Sequence, residues 1–174
     1  NAIANLDDKI IIVTSKRLAA KIQSLRDYFT AEIVKEGLDW LKFEQLGLNI
    51  IQSTSDNKYK EIGMCGVAIL NRAEYEFIHH APELLKAGGT QAQVDELRKI
   101  DTAAFNTSLF DATELDVIAL TVAMTRHVEV PVEIMERLQK ALGNQETVEM
   151  VAVVATYNMV SRFLIATGVS PENH

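Results

Sequence analysis

Two carboxylates and two adjacent histidines fall within seven positions, Glu74, Glu76, His79 and His80, in the stretch Glu-Tyr-Glu-Phe-Ile-His-His that opens at residue 74. Read as a helix, this stretch places Glu76 next to both rings, three residues before His79 and four before His80. An imidazole titrates near neutrality, and a carboxylate beside it can orient the ring, which suits proton transfer. The same spacing also describes a solvated helix face, the ordinary place for charged side chains. Tetrahedral zinc binding by Glu61, Glu76, His79 and His80 is a poor fit, because neighbouring positions on a helix diverge by about 100°. No metal is expected.

The segments that must hold these groups read almost throughout as helix. Leu18, Ile22, Leu25, Phe29 and Ile33 recur at spacings of three and four after the candidate cap Ser15, and Leu38, Leu41 and Leu46 suggest a less regular helix. A third helix is expected from about Lys58 to Leu70, carrying Glu61 and Cys65. After a break at Asn71-Arg72 comes the Glu/His helix, stopped by Gly88-Gly89 and expected to kink at Pro82, which cannot bond to the carbonyl of Ile78. Thr90 with Gln93, and Asp111 with Glu114, form capping boxes for two more helices. Pro131 suits a first helical position, Gly143 ends that helix, and a last, nearly apolar one runs from Asn144 to Gly168. Ile10–Val13 is a lone strand candidate, too isolated for a sheet. The fold class expected is all-α, with seven or eight helices in a single domain. If the chain reverses at Asn71, Glu61 and His80 lie ten and nine residues either side and meet at nearly equal depth.

Composition narrows the partners. A net charge of −7 without a basic stripe makes nucleic acid an unexpected partner. The single cysteine excludes an internal disulfide and a Cys-x-x-Cys pair. We read no secretory segment or long apolar run of membrane-spanning length, so the expected location is cytoplasmic, with no membrane partner. Asn158 and Arg162, four apart in the apolar last helix, suggest a paired polar network, with Glu149 or another acid as the partner of Arg162.

Lys60-Glu61-Ile62, the run from Ala73 to Pro82 and Lys86-Ala87-Gly88 together resemble the carboxymuconolactone decarboxylase / alkylhydroperoxidase D superfamily. Val148-Glu149 followed by Thr156-Tyr157-Asn158-Met159-Val160-Ser161-Arg162-Phe163-Leu164 is similar to the C-terminal run of the same family. The resemblance implies an all-helical core over residues 57–174, with 1–56 as an N-terminal helical extension. Aligned through His80, the two peroxidase cysteines of the family fall on Ala73 and Glu76, so disulfide-cycling peroxide chemistry is not expected. Lys60 stands where the family has arginine.

The decarboxylase branch is the nearer likeness. It implies a cofactor-independent lyase that acts on a small organic acid, a carboxylated lactone or β-keto acid. His80 would be its acid/base, with Glu61 and Glu76 beside it, and His79, Arg72 and Tyr157 are candidate substrate-binding residues. Arg72 is equally a candidate partner for Glu74. A homo-oligomer (dimer, trimer or hexamer) is implied as well. Two other readings stay open, an isomerase or dehydratase on a biosynthetic intermediate, and a non-catalytic oligomeric binding protein. The enzyme readings require an apolar pocket reaching His80; the binding-protein reading requires a buried His80 fully satisfied by Glu76, with no accessible cavity.

Overall fold

A helix that is buried on nearly every side organises the molecule. The computed structural model describes residues 56–169. Within them α1 (Asn57–Asn71) is capped by Asp56, whose side chain accepts from the Lys58 amide at 2.7 Å. It buries Lys60, Ile62, Met64, Cys65, Val67, Ala68 and Leu70, and contacts all four other described helices. Such a position needs small residues where backbones approach. A Cβ added at Gly66 would stand 3.0 Å from Thr121 Cγ2.

Arg72 ends α1 in the left-handed region, at φ 62°, and its amide bonds back to the carbonyl of Ile69. Arg72 and Ala73 together reverse the chain into α2 (Glu74–Lys86), which lies on α1. Pro82 sits inside α2 and is exposed; the helix continues through it to Lys86. The amide bond that proline forfeits falls on Ile78, also exposed. Gly88, at φ 94°, stops the chain after α2.

Both capping boxes form, at Thr90 for α3 (Gln91–Leu97) and at Asp111 for α4 (Ala112–Arg126). A short 3₁₀ turn, Thr107–Leu109, interrupts the intervening loop. Pro131 is the residue before α5 (Val132–Ala166) rather than its first member. The break expected at Gly143 is present, with φ 80° and ψ 172° inside an otherwise continuous helix.

Among the described residues the fold is all-α, with five helices. Seven or eight were expected. The helices following Ser15 and around Leu38–Leu46, like the strand candidate Ile10–Val13, lie outside the described residues, and the last two expected helices are the two halves of α5. The main core cluster is drawn from α1, α2, α3, α4 and α5, including Ile62, Phe77, Leu84, Leu97, Leu120, Leu138 and Val154, and Met64 with Val153 forms a small second one. α5 also contains an 18-residue window of mean hydropathy 1.4, apolar enough by length and composition to cross a membrane, which corrects the expectation that no apolar run reaches that length. Met150, Val153 and Val154 of this helix are buried within the bundle.

Candidate functional site

Glu61 and His80 meet across the α1–α2 reversal. His80 Nδ1 lies 2.8 Å from Glu61 Oε2, and because a carboxylate only accepts, Nδ1 carries the proton and donates it. This fixes the ring tautomer and leaves Nε2 as the nitrogen for proton exchange. The pair is only partly shielded, with side-chain exposures of 19% for His80 and 16% for Glu61. The equal-depth argument from the hairpin therefore holds, and His80 is oriented by Glu61 rather than by Glu76.

Glu76 has a different partner. Its Oε2 accepts a short hydrogen bond from Ser161 Oγ on α5, while its Oε1 is buried with no partner. Glu76 is 3% exposed and Ser161 fully buried. An unpaired buried polar atom costs about 1–3 kcal/mol, so this one calls for a chemical reason. Burial pushes the Glu76 carboxyl up to about 7, against smaller opposing effects of the Ser161 hydrogen bond and of nearby His80. The side chain is thus a neutral acid over much of the range where other carboxyls are ionised.

Tyr157 completes the group. Its ring stands edge-on to His80, with centroids 4.9 Å apart. Burial raises its phenol well above the usual range, helped by the charges of Glu61 and Glu76, so it remains a hydroxyl donor. Two four-residue steps face each other here, Glu76 and His80 on α2 against Ser161 and Tyr157 on α5. The register is antiparallel, Glu76 meeting Ser161 and His80 meeting Tyr157.

The remaining candidates lie elsewhere. His79 is exposed, and its Nδ1 donates to the Tyr75 carbonyl at 2.7 Å while its ring rests against that of Tyr75. The two histidine rings therefore point to different partners, which disfavours a shared metal. Arg72 is exposed at the helix cap, and Glu74, its expected partner, is held instead by Arg98 at 2.9 Å. Arg98 also stacks over Phe77, 4.1 Å from the ring centre. The network around Asn158 exists, but Arg162 is exposed and donates to the Asn158 carbonyl and Oδ1, both at 2.7 Å. Asn71 reaches the same Oδ1 at 3.0 Å, tying the end of α1 to α5. Cys65 is buried, and burial drives its thiol upward, so it is an inert packing group.

Ser161 was missed. The signal available was its place four residues after Tyr157 in an apolar run, the spacing that puts two side chains on one face. A cleft of about 810 Å³ opens away from this group, between α4, the start of α5 and residues 101–107. Phe105, Leu115, Ile118 and Val122 line it, with Asp116 and Arg137 among its polar members. His80 is not part of it, so this cleft is not the pocket the enzyme readings require.

Residues 40–110 match the family model described as Carboxymuconolactone decarboxylase family, which bears out the resemblance carried by the motifs between Lys60 and Gly88. The match includes Glu61, Glu76 and His80 but not the α5 motif with Tyr157 and Ser161. No curated protein and no solved structure matches the chain significantly.

Proposed function

We propose that this chain, carboxymuconolactone decarboxylase-like over residues 40–110, is a cofactor-independent lyase acting on a small carboxylated lactone or β-keto acid. The observation that carries the reading is the Glu61–His80 pair, 2.8 Å apart across the helix reversal with His80 Nε2 left over for proton transfer. Loss of CO2 breaks a carbon–carbon bond and sends its electron pair into the conjugated carbonyl as an enolate. The carbon then takes a proton from the protonated His80, whose positive charge Glu61 balances, and water reprotonates the ring. Tyr157 packs the ring edge-on and limits its rotation.

The test is CO2 release from a panel of carboxylated lactones and β-keto acids, with EDTA present. Wild type should turn over at least one substrate. His80→Ala should lose about 10²–10⁴-fold while keeping its circular dichroism. Turnover indifferent to His80 would end this mechanism. An isomerase or dehydratase would use the same His80 without releasing CO2.

A second reading, a non-catalytic binding protein, is favoured by one observation: the large cleft lies away from His80. Against it, His80 is engaged by Glu61 and not by Glu76, whose Oε1 stays unpartnered. We propose the assembled form to be a homo-oligomer, supported by exposed Val148, Met159 and Ile165 on α5. The cytoplasm is the proposed location, on the single buried thiol.

A further inference from the structure

Glu76 presents an unusual combination, one carboxyl oxygen held by a fully buried hydroxyl and the other buried with nothing to bond. A carboxyl kept neutral by its surroundings is a hydrogen-bond donor, and a donor aimed at developing negative charge is what enolate chemistry needs. His80 serves a separate task from its own edge of the site, since its Nδ1 is committed to Glu61.

We propose that Glu76, as a neutral carboxylic acid, donates from Oε1 to the substrate's carbonyl oxygen, and that Ser161 is the positioning residue that reserves Oε1 for this by occupying Oε2. The inference rests on the lyase reading and deepens it. It requires a substrate whose carbonyl oxygen, rather than a second carboxylate, enters beside Glu76. As the C–CO2 bond breaks, the electron pair moves onto that oxygen and shortens its hydrogen bond to Glu76. The Glu76 proton is shared and not given up, and the carbon is protonated by His80.

The charged and titratable neighbours fit this division. His80 faces Glu76 from its own helix, and Tyr157 on α5 lies near Glu76 and also near Glu61 and Cys65 of α1. An ionised Glu76 would share the site with the Glu61 carboxylate and repel the oxyanion, so the neutral form is the useful one. Ser161 contributes geometry: without it the two carboxyl oxygens become equivalent and the proton is no longer confined to Oε1.

The experiment uses the full chain labelled with ¹³C at glutamate side-chain carboxyls, the Glu76 signal being identified by its loss in Glu76→Gln. The pH titration is followed alone and with 4-nitrophenolate, an oxyanion on a conjugated ring. The wild-type signal should titrate near pH 7. In Ser161→Ala the midpoint should move upward and 4-nitrophenolate should bind about ten-fold more weakly. Ser161→Thr, which keeps the hydroxyl, should restore both. A Glu76 midpoint in the ordinary carboxylate range would overturn the proposal, as would unchanged 4-nitrophenolate binding in folded Ser161→Ala. Neither readout depends on turnover, so failure of the CO2 panel alone would count against the reaction and not against the donor.

Discussion

Glu76 makes stability depend on pH in the sense opposite to an ordinary ion-paired carboxylate. Folded Glu76 keeps its proton to about pH 7, whereas an unperturbed glutamate releases it near 4.5. The folded state therefore holds more protons between those values, and the stability this contributes, full below about pH 4.5, is lost as pH rises to about 7. The loss is about 3 kcal/mol. Urea unfolding at pH 5 and pH 8 should show it, and Glu76→Gln should flatten the difference; an equal slope in that variant would assign the effect to other groups. At the partner site, Glu61→Gln should leave His80 in place but lower CO2 release about ten-fold or more, because the amide cannot balance an imidazolium. What could be read from sequence at this scale followed from local geometry. A reversal two residues long, Arg72 and Ala73, makes Glu61 and His80 neighbours by arithmetic alone. Ser161 depends on how α5 crosses α2, a distance of 85 residues in sequence, and no local pattern fixes that crossing.

Among the elements, the start of α4 ties three helices together through one buried carboxylate. Glu114 accepts from the Asp111 amide at 2.9 Å and from Gln93 Nε2 at 3.0 Å, and pairs with Lys58 Nζ at 2.5 Å. The capping box was legible because it spans three residues; the ion pair to α1 was not, since it needs the packed bundle. Lys58→Ala strands Glu114 Oε1, which has no partner besides that lysine, and should cost about 2–4 kcal/mol by denaturant unfolding. A loss below about 1 kcal/mol would show that water replaces the lysine. Gly143 offers the opposite kind of test. Its φ of 80° with ψ of 172° is open essentially to glycine alone, yet an added Cβ would meet nothing within 4 Å. Gly143→Ala should therefore cost about 1–3 kcal/mol through backbone strain only. If it proves neutral, the two halves of α5 can straighten into one helix, a change visible as added helical signal.

At the scale of the molecule, α5 has more apolar surface than the bundle covers. Val148, 66% exposed, is followed by exposed Ala152, Ala155 and Met159, at steps of four, three and four residues. That spacing keeps one stripe on one side of a helix, and its small residues permit close approach by another helix. The buried side of the same helix carries Met150, Val153, Val154, Asn158 and Ser161, so whatever covers the stripe lies directly behind the Glu76–Ser161 contact. Sequence reading recognised a helix apolar all round; it could not divide core from surface, because both faces have the same composition. A second copy packed on this stripe would also hold α5 in register with α2, coupling assembly to the site. Val148→Glu with Met159→Glu should then reduce the particle mass measured by light scattering and, by loosening Ser161, move the Glu76 titration. Loss of assembly with an unchanged Glu76 titration would separate the two. An unchanged mass would mean that this stripe is not where copies meet, and the Glu76–Ser161 contact would have to be maintained by the monomer alone.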